Sequence, residues 1–217
     1  MPYAGLNDRG DGVLAKVPVV CITGPSAVGK TRFSLGLADA LSAMGLEVLV
    51  ICCDNYYRQN GQPHGRFGFD TPAAIDIHAL RAELDQVRHG VASSLRTYDM
   101  TTRDVARHPL HQAYQLVLLE GAYGPQELLN NDSITALIYL EAPLLLRMIR
   151  RLRRDQQERG RHALQIIQHM LWHMIPGEWT FIRPLRSVSD LVIRQPSQGH
   201  RDAMALIQAL IPRSAAI

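Results

Sequence analysis

Lysine is almost missing from this chain of 217 residues: of 23 Lys plus Arg, only Lys16 and Lys30 are lysine, which leaves 21 arginines. A position that keeps a lysine therefore carries information. Cysteine is equally scarce, and Cys21, Cys52 and Cys53 are too few for a disulfide framework. They fall in or at the end of apolar runs and read as reduced core thiols of an intracellular protein. No apolar run approaches the ~18 residues of a membrane span, and the segment Met1 to Lys16 carries Asn7, Asp8, Asp11 and three glycines where a signal core would be apolar. Residues 1–16 are read as a flexible, cytoplasmic N-terminal extension ahead of a single domain over 17–217. Excess charge is small as well, at +3, and it comes mainly from arginines between Arg147 and Arg161. That is too little to imply nucleic-acid binding, so no nucleic-acid or membrane partner is expected, and a charged small molecule is the simpler partner. With 47% hydrophobic and 20% charged residues and no internal repeat, the chain has the composition of one globular domain.

Against this background one of the two lysines sits in Gly24-Pro25-Ser26-Ala27-Val28-Gly29-Lys30-Thr31, between the apolar run Val17 to Ile22 and a helical pattern. This is a phosphate-binding P-loop in its required strand-then-helix context. Gly24 and Gly29 let the backbone curl so that several N–H groups point inward at a helix N-terminus, a nest that fits a triphosphate. Lys30 is expected against the β- and γ-phosphates, and the Thr31 hydroxyl on Mg²⁺.

Further along, strands and helices alternate. A helix is predicted over Lys30–Met44 and a buried strand over Glu47–Cys52, which delivers Asp54 to its C-terminal end, where open α/β sheets bind ligands. A Gly-, Pro- and Asn-rich loop, Arg58–Pro72, is a candidate substrate-binding segment. Asp76 caps a helix over Ile77–His89, and Ser94–Tyr98 reads as an edge strand. Tyr114–Leu119 is a buried strand ending in Glu120-Gly121, whose carboxylate can orient Mg²⁺. Strands Ser133–Leu140 and Leu191–Ile193, with helices Pro143–Glu158 and His200–Leu210, complete an α/β fold: a P-loop NTPase-type parallel sheet covered by helices on both faces.

In the helix from Pro143, Arg147, Arg151 and Arg154 share one face and Leu145, Met148, Ile149 and Leu152 the other. A solvated charged face is the common meaning of such a run. Beside a triphosphate site, Arg forks that clamp phosphate oxygens explain it better. His169 and His173 lack the intervening Glu of a zinc-hydrolase helix and read as ordinary helix positions. Trp172 and Trp179 read as packing residues.

Several segments together resemble the uridine kinase (uridine-cytidine kinase) branch of P-loop kinases, with phosphoribulokinase as a cousin. Cys53-Asp54-Asn55-Tyr56-Tyr57 looks like the family's D-[DS]-F-Y, Phe69-Asp70-Thr71-Pro72 its F-D-H-P, Tyr98-Asp99 its Y-D, and Leu119-Glu120-Gly121 its E-G strand end. Arg150 to Arg161 resembles its Arg-rich lid, and Ser189 to Ile193 its A-D-x-I-I. The resemblance implies a cytoplasmic enzyme that moves the γ-phosphoryl group of ATP, with Mg²⁺, to a hydroxyl of a small acceptor. The 5′-hydroxyl of uridine or cytidine is the best candidate. Another small molecule of the same chemistry, or an inactive ATP-binding regulator, are the alternatives.

By position, the resemblance makes Asp54 the general base, within reach of the γ-phosphate because its strand and the P-loop strand would end side by side. Asp70 and Arg161 would bind sugar hydroxyls, with Phe69, Tyr98, Arg151 and His169 in the same acceptor pocket. Glu120 would join Thr31 on Mg²⁺, and Arg154 and Arg159 would close over the phosphates with Lys30. Met100 and Arg103 stand where the family has an aromatic residue and a His against the pyrimidine, and His169 stands where it usually has Gln. Arg103 suits a base carbonyl or an anionic acceptor. The family tendency makes a homo-oligomer an expectation.

Overall fold

The computed structural model describes residues 16–110, 113–160, 162–196 and 198–211. Five short strands form one parallel sheet: β1 Val19–Thr23, β2 Val48–Cys52, β5 Leu116–Glu120, β6 Ala136–Leu140 and β7 Leu191–Ile193, in the order β2-β5-β1-β6-β7. The two central strands β1 and β5 are apolar except at their last residues, Thr23 and Glu120, because both faces are covered; Val19 to Ile22 and Leu116 to Leu119 are fully buried. Alternate side chains go to opposite faces. Val20, Ile22, Leu118 and Ile138 meet Phe33, Leu37 and Leu41 of α1 (Lys30–Ser42) and Ala203 and Ile207 of the last helix, His200–Leu210. Cys21, Val117, Leu119 and Leu137 meet Leu80, Leu84 and Val87 of α2 (Ile77–Arg88) and Ile182 and Leu185. Asp76 caps α2 as predicted, its Oδ1 accepting from Ala79 N at 3.1 Å.

Ser94–Tyr98 (β3) is not an edge of the main sheet. It pairs antiparallel with β4, Val105–Pro109, in a separate two-stranded ribbon. Buried Glu83 of α2 anchors that ribbon by accepting from Tyr56 Oη (2.7 Å), Arg96 N (2.8 Å) and Arg107 Nη2 (2.8 Å). Arg96 then reaches the turn after β2, donating from Nε to Asn55 O and from Nη2 to Tyr57 O. Tyr98 is thereby brought beside the ligand end of the sheet.

After a short α3 (Pro125–Leu128), α4 (Leu144–Arg159) is followed by α5 (Ala163–His169). The chain continues in helical form through π turns at Met170–Met174 and Glu178–Ile182 on either side of α6 (Ile175–Gly177), then a 3-10 run Arg183–Val188. Helix α7, His200–Leu210, closes the described chain. Along the 170–182 segment Met170, Met174 and Ile182 point inward, so Trp172 and Trp179 are left outside, 72% and 59% exposed. They do not serve as packing residues, although Arg183 lies 3.9 Å over the Trp179 ring.

Candidate active site

Three parallel strands end in line at the functional edge. Glu120, the last residue of β5, is in register with Ile22 of β1 on one side and Cys52 of β2 on the other. The P-loop begins two residues beyond Ile22, and Asp54 lies two residues beyond Cys52. The Asp54 and P-loop strands therefore do not end side by side as the sequence suggests, because the Glu120 strand runs between them. A carboxylate is thus interposed between the loop and Asp54.

The loop takes the backbone conformations its glycines allow. Gly24 has φ +145° and a Cβ there would sit 2.5 Å from Leu140 O, while Gly29, φ +104°, precedes the first residue of α1. No acidic residue occupies the first turn of α1, which leaves its N–H groups suited to an anion. Lys30 is half-buried, and its Nζ donates to Gly24 O (3.1 Å) and Pro25 O (3.2 Å). Burial pulls its ammonium below the ordinary lysine value, and the Glu120 and Asp54 carboxylates oppose that shift. Thr31 Oγ1 donates to Glu120 Oε1 at 2.9 Å. A hydroxyl and a buried carboxylate side by side at a strand end are hard-oxygen donors that fit Mg²⁺, which takes the rest of its shell from water and phosphate.

One cavity of about 800 Å³ joins this loop to the residues expected around the acceptor. Ser26, Ala27, Gly29, Lys30 and Thr31 line its nucleotide side, with Asp54 and Glu120 at the strand ends. Phe69, Asp70, Tyr98, Met100, Arg103 and His169 line the other side, and Arg151 and Arg154 come from α4. Gly24, Pro25 and Val28 shape the loop from beneath and do not line the cavity. Arg159 ends α4, and Arg161 lies outside the described residues.

Asp70 is the buried carboxylate on the Phe69–Arg103 side of the cavity: its Oδ1 is 3.7 Å from Arg151 Nη1 and its Oδ2 3.6 Å from His169 Nδ1. Arg151 Nη2 lies 3.3 Å from His169 Nδ1, and because a guanidinium can only donate, that ring nitrogen accepts. Met100 and Arg103 sit in the turn joining β3 to β4. Asp99 Oδ1 accepts from Thr101 N (2.6 Å) and Thr102 N (2.9 Å), and those two bonds hold its carboxyl below the usual range. Arg103 has φ +65° and its guanidinium lies 5.2 Å over the Phe69 ring.

The family model described as Phosphoribulokinase / Uridine kinase matches residues 19–200. The chain belongs to that family. It is similar to a uridine kinase of Lactobacillus helveticus (30% identical over 200 residues, 88% of this chain and 92% of that one). A uridine kinase of Deinococcus deserti is 32% identical over 181 residues, 81% of this chain and 86% of that one. Among solved structures, a possible uridine kinase from Bacillus stearothermophilus shares the fold with a TM-score of 0.58 at 18% identity, covering 82% of this chain and 89% of that one. This member of the phosphoribulokinase/uridine kinase family is a small-molecule kinase that uses ATP. Among the described residues no helix is long and apolar enough to cross a membrane.

The kinase's lid helix departs from the sequence reading. Arg147 does not face the phosphates as part of a three-arginine clamp. It is 4% exposed, bound to Glu178 by Nη1 (2.7 Å) and Nη2 (2.8 Å), and donates from Nε to Ala142 O at 3.0 Å. The predicted apolar face is split: Leu145 and Ile149 are 71% and 42% exposed, while Met148 and Leu152 pack on Ile166, Met170 and Met174. His169 lines the cavity, whereas His173 donates from Nδ1 to Arg66 O at 3.1 Å. Sequence reasoning assigned no role to Tyr57, Tyr123 or Arg150, which also line the cavity. Tyr57 ends the quoted Asp54 segment and Tyr123 lies just beyond Glu120-Gly121, so proximity to strand ends was the available signal. Glu178 had none.

Proposed function

We propose that the protein transfers the γ-phosphoryl group of ATP, with Mg²⁺, to the 5′-hydroxyl of uridine or cytidine, and that residues 17–217 act as one kinase domain. The observation that carries this reading is the single cavity uniting a P-loop, the Asp54 and Glu120 strand ends, and the Asp70, Tyr98 and Arg151 group. The uridine kinases at about 30% identity support the choice of acceptor.

In this reading Asp54 takes the proton of the attacking hydroxyl and aims it, which contributes roughly 10²- to 10⁴-fold. Asp70, Tyr98, Arg151, Arg161 and His169 hold the sugar, and Phe69, Met100 and Arg103 bound the base. Thr31 and Glu120 would hold Mg²⁺, which supplies positive charge to phosphate oxygens when bound. Lys30, Arg154 and Arg159 offset the charge on the transferring group. Burial helps, since fixed donors act more strongly away from water.

Coupled ADP release with Mg·ATP across nucleosides, pentose phosphates and other small alcohols tests the assignment. Strong turnover with uridine or cytidine is expected; silence on every acceptor, with ATP bound, would overturn the kinase reading in favour of a regulator. One observation favours a second acceptor class. Arg103, held over Phe69 at the mouth of the pocket, is a guanidinium fork that suits an anionic group such as a sugar phosphate, and turnover confined to such compounds would select it.

A further inference from the structure

Ser26 of the P-loop is gripped from α4 by two buried arginines. Arg147 Nη1 donates to the Ser26 carbonyl at 3.3 Å, and the Glu178 pair fixes that guanidinium. Arg151 Nη1 donates to Ser26 Oγ at 3.0 Å. The same nitrogen lies 3.7 Å from Asp70 Oδ1, on the acceptor side, and the neighbouring Nη2 reaches His169. Arg151 Nε is 3.6 Å from Asp155 Oδ2, which limits how far the head can slide along α4.

Arg151 Nη1 is thus shared. A guanidinium is planar and rigid, so any shift of the head that follows a change at Ser26 Oγ also changes the distance of Nη1 from Asp70. The Ser26 backbone is held by Arg147, whereas its hydroxyl is a rotor with one hydrogen to donate and two lone pairs to accept with. A triphosphate in the loop offers that hydrogen a strong acceptor and reorients the lone pairs that Arg151 uses. The chain of contacts then ends on the carboxylate assigned to the acceptor.

We propose that Ser26 is a positioning residue that, through Arg151, couples nucleotide occupancy of the P-loop to the placement of Asp70 in the acceptor pocket. The proposal rests on the reading of Asp70 as an acceptor ligand for its consequence, but the coupling itself is measurable with nucleotide alone.

The test is calorimetric titration of Mg·AMP-PNP onto the wild type, Ser26→Ala, Asp70→Asn and the double variant. If Arg151 Nη1 is shared, Asp70→Asn changes the Kd by one factor with serine present and by a different one with alanine, a discrepancy of about threefold or more for groups in one network. Ser26→Thr retains the hydroxyl and should restore the wild-type factor, which a need for a small residue alone does not predict. Arg151→Lys in place of Asp70→Asn tests the Ser26–Arg151 half of the chain without altering the carboxylate, should that variant fold poorly. Effects that simply multiply, within about 1.5-fold, in both cycles overturn the proposal. Saturating uridine adds a separate arm: a shift in the AMP-PNP Kd that Ser26→Ala abolishes supports the coupling, by the reciprocity of linked binding. A non-additive cycle with no effect of uridine retains the coupling of Ser26 to Asp70 and shows that uridine does not engage it.

Discussion

Gly177 is where the helical segment after α5 passes closest to the acceptor pocket, and replacing it with alanine separates packing from catalysis. A Cβ at Gly177 would lie 2.3 Å from Asp70 O, 2.9 Å from Tyr123 Oη and 3.2 Å from Asp70 Cβ. The tyrosine hydroxyl can swing aside, but the Asp70 carbonyl is backbone, so the Asp70 segment or the helix must move by about 1 Å to reach ordinary contact. Alanine gains about 1 kcal/mol of helix propensity over glycine. Overpacking costs about 1–3 kcal/mol, so the net loss is about 1 kcal/mol, or roughly 2–4 °C in Tm for a domain of this size. The effect on turnover should be far larger. A misplacement of about 1 Å at a positioning group can cost roughly 10²-fold, so kcat/KM for the acceptor should fall by about 10- to 100-fold while affinity for Mg·AMP-PNP changes by a few-fold at most. Gly65→Ala is the control, since nothing lies within 4 Å of a Cβ there and its φ is not positive. A Gly177→Ala enzyme with wild-type acceptor kinetics would refute the placement of Asp70 in the pocket.

Asp54→Asn should leave Mg·AMP-PNP binding nearly intact and lower turnover by about 10²- to 10⁴-fold; single-turnover measurements that show an unchanged rate would remove Asp54 from the chemistry. Glu120→Gln keeps the Thr31 contact but loses the charge, so the Mg²⁺ concentration for half-maximal turnover should rise. An unchanged Mg²⁺ titration would count against that carboxylate as a metal holder. Glu178→Ala leaves the buried Arg147 guanidinium unpaired and should cost about 3–5 kcal/mol in urea unfolding, whereas Arg147→Met with Glu178→Leu should recover most of it. Equal losses in the single and double variants would mean that packing, not charge pairing, sets the cost.

The sheet and its order of elements were legible because the strands are continuous apolar runs and the main helices carry regular stripes. The predicted strand Leu191–Ile193 and helix His200–Leu210 are found at those bounds, and Lys30–Met44 and Ile77–His89 differ from the observed helices only at their ends. What was misread depends on pairing between distant segments. Ser94–Tyr98 has the composition of an edge strand, but its partner is Val105–Pro109, whose Arg107 and His108 disguise a strand as a polar loop. Its placement is decided by Glu83, which lies on a helix and collects three donors from three other elements. The long segment after α5 is hidden for another reason: its π turns shift the inward positions, so no period of 3.6 persists through Pro176 and Gly177.

The lid helix shows how an arginine face can turn inward. A helix with leucines on one side and arginines on the other is normally set with its leucines inward, since burying a leucine gains about 1.5–3 kcal/mol whereas an unpaired buried charge costs several. That balance changes when every buried charge is paired. Arg147 meets Glu178, Arg151 meets Asp70 and Asp155, and Arg154 donates twice to Asp155 Oδ1 (2.9 and 2.8 Å), so the desolvation of each guanidinium is offset by carboxylates and by Ser26. Only Asp155 is local to the helix; Glu178, Asp70 and Ser26 come from three other parts of the chain. The signal for a buried arginine face was therefore absent from the helix itself and present in its function: an anion-handling loop in the same chain is a reason for arginines to face inward. The same network makes α4 a bridge, since the residues that bury its charges belong to the nucleotide loop at one point and to the acceptor side at the next.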